Sequence, residues 1–118
     1  MVILYVSFDT YCLDFRLPGW GKNSYGYSGF SGKKICEATF QPYGPTFKEK
    51  DVVGCGFIDG KCFFTKNGEL LGVAFGGLPQ NLSPAVDLRF KGWAVDANFG
   101  QRSFKYELDW DELKSQCR

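Results

Sequence analysis

Asp51-Val52-Val53-Gly54-Cys55-Gly56-Phe57-Ile58-Asp59-Gly60-Lys61-Cys62-Phe63-Phe64-Thr65-Lys66-Asn67-Gly68-Glu69-Leu70-Leu71-Gly72-Val73-Ala74-Phe75 places two dipeptide turns, Asp59-Gly60 and Asn67-Gly68, between three runs of β-branched, aromatic and aliphatic residues. Asp-Gly and Asn-Gly favour the type I′ turn, which needs positive φ at both central positions and whose twist matches the strands it joins. The stretch therefore predicts an antiparallel meander with strands over residues 51–58, 61–65 and 70–75.

Outward from this meander the same punctuation continues. Residues 2–8 and 24–27 read as strands. The connection from 13 to 34 is broken by Pro18 and several glycines, and residues 35–40 alternate as one further strand. Pro42, Gly44 and Pro45 force a turn and an extended approach to Phe47, because proline fixes φ and removes a donor. Gly76-Gly77-Leu78-Pro79 ends the meander, and two more strands are expected over 82–88 and 94–99 with a bend at Lys91-Gly92. Residues 110–114 read as a short helix, with Asp109 as N-cap and Glu112 as its box partner. Turns at this spacing predict an all-β sandwich or barrel. Aromatics beside the turns at 17–27, 41–47 and 64–68 suggest loops loaded with contact surface.

Composition sets the bounds. A chain of 118 residues makes one domain, and 15 Gly, 12 Phe, 6 Tyr and 3 Trp beside one Met suit an aromatic-cored β-domain. With 14 Lys and Arg against 13 Asp and Glu, the net charge of +1 supplies no bulk attraction to nucleic acid or an anionic membrane. The five cysteines, Cys12, Cys36, Cys55, Cys62 and Cys117, are odd in number and form no CxxC pair, so neither a disulfide framework nor a zinc site is indicated. The reading is a reducing, cytoplasmic setting, extending to the nucleus. Residues 1–8 are too short for a signal peptide, and the sequon Asn81-Leu82-Ser83 matters only for a secreted chain.

The chain contains no histidine, which removes Ser-His and Cys-His nucleophile pairs and His-ligated metals together. Asp87 and Asp96, on neighbouring expected strands, form the one pair of carboxylates that could serve a glycosidase; solvent-facing acids are the favoured reading. Gly19-x-Gly21 has Ser24 where a dinucleotide loop needs its third glycine, and Asn98-Phe99-Gly100 only superficially resembles a kinase metal loop. Cys55 and Cys62, on the two arms of one hairpin, suit a cross-strand pair or, preferably, two reduced thiols packed as small apolar groups. No cofactor and no metal are expected. Trp20 follows Pro18-Gly19 and Trp93 follows Lys91-Gly92, contexts that suit either a core ring or a ring presented on a loop.

The ordered motifs Leu17-Pro18-Gly19-Trp20, Ser24-Tyr25-Gly26-Tyr27, Gln41-Pro42-Tyr43-Gly44-Pro45-Thr46-Phe47, Asp51-Val52-Val53-Gly54-Cys55, Cys62-Phe63-Phe64-Thr65-Lys66-Asn67-Gly68, Leu71-Gly72-Val73-Ala74-Phe75 and Val95-Asp96-Ala97-Asn98-Phe99-Gly100 resemble the SPRY domain, most closely its Ran-binding-protein-M group. The resemblance spans residues 2–106. It implies a domain over 1–106, with 107–118 as a tail, and a bent, jelly-roll-like antiparallel β-sandwich without enzymatic activity. It further implies end loops that bind a short peptide or loop of a partner protein, in relatives that serve as adaptors and scaffolds of a ubiquitin ligase. Carried over residue by residue, the peptide-binding contacts are Trp20, Arg89 and Phe90, with Tyr25 and Lys91 nearby.

Against that pattern, the strands that usually precede position 2 are missing, the hairpin around 58–61 is short, and Gly29-Phe30-Ser31-Gly32 replaces an acidic stretch. The LisH module that follows in the group is absent after Tyr106. The expectation is a domain incomplete at its N-terminal side, with the strand over 2–8 at an exposed edge open to self-association. Two other readings of the sandwich are a carbohydrate-binding lectin and a secreted SPRY effector that engages host proteins.

Overall fold

In the computed structural model the chain is described over residues 24–79, 86, 96, 98, 100–101, 103–107 and 109–116. The strand expected over 2–8, and most of those over 82–88 and 94–99, lie outside these residues. Along the described residues run β1 (Tyr25–Tyr27), β2 (Lys33–Cys36), β3 (Thr39–Pro42), β4 (Val53–Ile58), β5 (Lys61–Lys66), β6 (Glu69–Phe75) and the helix α1 (Trp110–Gln116). The strands form two antiparallel three-stranded sheets, ordered β1-β2-β3 and β4-β5-β6. The all-β class read from the sequence, closing in a short helix, is the observed one. Two compact units contain them, one built on β1–β3 and one on β4–β6 with α1.

In the β4–β6 unit both turns form as their sequences dictate. Asp59 and Gly60 take φ of 50° and 76°, and Asn67 and Gly68 take 50° and 84°. Beyond the last paired row, Val53↔Lys66, Asn67 and Val52 exchange two further bonds: Asn67 N–H donates to Val52 O at 2.7 Å, and Val52 N–H donates to Asn67 Oδ1 at 2.9 Å. The turn residue thereby closes the open end of the ladder. β5 lies in the middle, and its run Cys62-Phe63-Phe64-Thr65 is buried at every position, as in strands covered on both faces. β6 carries one extra residue against the Cys62–Phe63 step of β5 and another against the Phe63–Thr65 step, two irregularities that bring Val73 opposite Phe63 and Leu70 opposite Thr65.

The helix packs on this sheet through Leu113, which is 0 % exposed and joins Phe63 in a core flanked by Ile58, Leu70 and Val73. Its start is capped as read. Asp109 Oδ1 accepts the N–H of Glu112 at 3.0 Å, while the Glu112 carboxylate accepts from Gln116 Nε2 at 3.3 Å rather than turning back to the cap. Asp111 and Glu112 in the first turn and Lys114 in the last complement the helix dipole. Asp109→Ala is expected to lower unfolding free energy by about 1 kcal/mol in a urea titration. An unchanged midpoint would mean that side-chain docking alone holds the helix.

In the other unit the expectation of one strand over 35–40 is corrected: the chain reverses at Glu37-Ala38, with φ of 47° and 64°, and β3 folds back on β2 from Cys36↔Thr39 to Lys33↔Pro42. Neither residue is glycine, so the left-handed turn costs about 1 kcal/mol per residue and leaves no signature in the sequence. The ladder on both sides of β2 holds it. Pro42, which has no N–H to give, ends the strand at one side of the β1-β2-β3 order, where the loss is tolerated.

Candidate functional site

The segments 24–27 and 41–47, read from the sequence as a strand and a turn, are in contact. The Tyr27 ring meets Tyr43 edge-on, with centroids 5.2 Å apart at 86°, and Phe47 at 5.1 Å and 65°. Tyr27 Oη donates to the carbonyl of Pro45. Burial pushes this phenol up to about 12, so it remains a donor throughout the physiological range. Backbone bonds knit the loop that follows β1, residues 28–32, to the 41–47 segment: Gly44 N–H donates to Gly32 O at 2.9 Å, and Phe47 N–H to Gly29 O at 2.9 Å. Gly32 takes φ of +72°, and a Cβ there would run into the Gly44 carbonyl, so only glycine serves. Tyr27 and Phe47 are buried, and these aromatics form a lock rather than contact surface.

The β1–β2 connection, residues 28–32, is held rigidly. Gly32 N–H donates to Ser28 O at 2.8 Å, Ser31 N–H to Ser28 Oγ at 3.3 Å, and Lys33 N–H to Ser31 Oγ at 3.4 Å. At its tip Phe30 is 70 % exposed, and Phe40 on β3 is 43 % exposed. Exposed rings are ordinary when scattered. Phe30 differs in sitting on a loop whose backbone is fixed on both sides, the arrangement that presents a ring at low entropic cost. Its flanking glycines, Gly29-Phe30-Ser31-Gly32, were the available signal, read only as a departure from an acidic stretch.

Of the contacts read from the sequence, Trp20, Arg89, Phe90 and Lys91 lie outside the described residues, as do Trp93 and Asp87. Tyr25 is half-buried on β1 opposite Cys36. Its phenol is pushed above the ordinary value by desolvation, then by Cys36 and Glu37, so it acts as a neutral hydrogen-bonding ring. Asp96 is exposed. Asn98 is buried, but its amide serves its own loop: Oδ1 accepts Gly100 N–H at 2.9 Å and Nδ2 donates to Ser103 O at 3.3 Å. Cys55 and Cys62 are free thiols with Sγ atoms 4.0 Å apart, as the reduced reading expects. Among the described residues no three His, Cys, Asp or Glu side chains gather as metal ligands.

The sequence profile of the SPRY domain matches residues 6–102. Ran-binding protein 9 of Xenopus tropicalis is 55 % identical over 97 residues, covering 80 % of this chain and 18 % of that protein. Ran-binding protein 9 of Homo sapiens is 54 % identical over 97 residues, covering 80 % of this chain and 13 % of that protein. The Ran-binding proteins 9/10 homolog of Drosophila melanogaster is 50 % identical over 102 residues, covering 84 % and 11 %. The chain thus spans less than a fifth of the length of these relatives. SPRY domains are in general protein-interaction modules, and the resemblance drawn from the ordered motifs agrees with these relatives. A profile match across most of the chain, with about half of the residues shared with the Ran-binding relatives, establishes that this chain belongs to the SPRY-domain family.

Proposed function

We propose that this chain is a non-catalytic binding module that grips a short peptide or loop of a partner protein. It would act in the cytoplasm as part of an adaptor or scaffold of a ubiquitin-ligase complex. The observation that carries the reading is the SPRY match over residues 6–102. Trp20 supplies apolar anchoring area, Arg89 a planar guanidinium able to hold a carboxylate or backbone carbonyl, and Phe90 further apolar wall, with Tyr25 and Lys91 beside them. Phe30, on its fixed loop, is added as a candidate contact. Affinity in the micromolar range, about −8 kcal/mol, suits a shallow preformed site with one or two anchors.

Selection from a library of short peptides is expected to yield binders. Against the best of them, Trp20→Ala should cost about 2 kcal/mol, roughly thirty-fold in Kd by calorimetry. A folded Trp20→Ala protein that binds as well as wild type rejects the anchor. Failure to select any peptide, with hits on a glycan array instead, would replace the reading by a lectin.

A further inference from the structure

We infer that Cys55 and Cys62 form a site of reversible oxidative modification, joined as a disulfide across the β4–β5 hairpin when a hydroperoxide reaches them. The inference is independent of the peptide-binding reading.

The register places the two thiols. Cys55 is paired with Phe64 and Cys62 with Phe57, so the cysteines are diagonal neighbours. Directly paired residues share a face and side chains alternate along a strand, so both sulfurs emerge on the face opposite that of Gly56 and Phe63. Their Sγ atoms are 4.0 Å apart and share a hydrogen bond. Exposure divides the pair: Cys55 is half-buried, whereas Cys62 is 7 % exposed. The more exposed residue, Cys55, is taken as the attacking thiol and Cys62 as the resolving one.

The hydrogen bond points the same way. It lowers the Cys55 thiol from its ordinary value and, with desolvation, raises that of Cys62, because the Cys62 S–H stabilises a thiolate on its neighbour. The Cys55 thiolate attacks one oxygen of the hydroperoxide, forming an S–O bond. The O–O bond breaks, and the leaving hydroxide or alkoxide takes up a proton. The Cys62 sulfur then attacks the Cys55 sulfenic acid, forming the S–S bond as the S–O bond breaks, and the thiol proton leaves with the hydroxyl as water. Two thiols are oxidised by two electrons and one peroxide is reduced.

The diagonal register decides how stable the product is. Diagonal neighbours stand about 7–8 Å apart, beyond the roughly 4.4–6.8 Å usual between the Cα atoms of a disulfide. Closure therefore draws β4 along β5, and a bridge made under such shear is easily reduced. Phe63 follows Cys62 in the strand and faces Gly56 and the Leu113 core, so the displacement is felt under α1.

The test uses the whole reduced chain treated with hydrogen peroxide, capped with an alkylating agent and digested with trypsin without reductant. Cleavage after Lys61 separates the two cysteines. The expected result is one dominant linked pair, residues 51–61 with 62–66, lighter than the two free peptides together by two hydrogens and restored to them by dithiothreitol. In Cys62→Ala the Cys55 sulfenic acid should persist and react with dimedone, while in Cys55→Ala the Cys62 thiol should remain alkylatable. The wild-type map needs no variant to fold, and the same treatment in strong urea should scatter linkage among the five cysteines. Full alkylation of both thiols after peroxide overturns the inference. So does preferential linkage of Cys55 to Cys12, Cys36 or Cys117, or a linkage pattern unchanged by urea.

Discussion

Gly56→Ala is expected to remove about 2–3 kcal/mol of unfolding free energy, although alanine is the better strand residue of the two. Gly56 stands directly opposite Phe63, and an added Cβ would lie 2.0 Å from Phe63 Cζ and 2.3 Å from Cε1. That ring is 1 % exposed and belongs to the core with Leu113, so it has little room to swing aside. In a close-packed interior the methyl forces an off-rotamer ring or displaces the strand. The contact is pairwise, and the prediction can be made specific. Phe63→Leu alone should cost about 1–2 kcal/mol, and Gly56→Ala in that background should cost at least about 1 kcal/mol less than in wild type. Urea denaturation of the four proteins measures the cycle. Additive effects would show that the ring does not rest on the glycine.

Leu113→Ala is expected to be more damaging, at about 3 kcal/mol, because it removes a fully buried side chain and leaves a cavity against Phe63, Ile58, Leu70 and Val73. Seven residues are far too few for a helix to persist in water, so α1 exists only while docked on its sheet. The variant should therefore lose amide protection over 110–116 before the β4–β6 sheet opens, visible by hydrogen exchange. The contrast with Asp109→Ala is the diagnostic: losing the cap weakens the helix, whereas losing Leu113 undocks it. Equal and small effects of both changes would mean that the helix is peripheral to the core.

The resemblance to SPRY domains was legible because the motifs that carry it are local: the run 62–68 ending in Asn67-Gly68 and the aromatic and proline steps around 24–27 and 41–47 are read without knowing what they touch. The proposed contacts rest on the family resemblance. Trp20, Arg89, Phe90 and Lys91 came from matching motifs, since no feature of their own neighbourhoods distinguishes a contact from a core residue. Among the described residues, reading aromatics near turns as contact surface misplaced Tyr27 and Phe47, which lock one segment to another. It also passed over Phe30, the most exposed large apolar side chain described. Exposure depends on which way a ring turns from its loop, and residue type does not encode that.

Sequence alone determined the β4–β6 meander, the Asp109 cap and the all-β class, because positive-φ dipeptides, a carboxylate ahead of a helix and β-branched runs act over a few bonds. Tertiary structure alone decided the Glu37-Ala38 reversal, the two irregularities in β6, the burial of Tyr27 and the diagonal meeting of Cys55 with Cys62. Each of these is set by ladder register and by packing between segments distant in the chain. There the cost of a non-glycine turn or an extra residue is offset by partners that local sequence does not name.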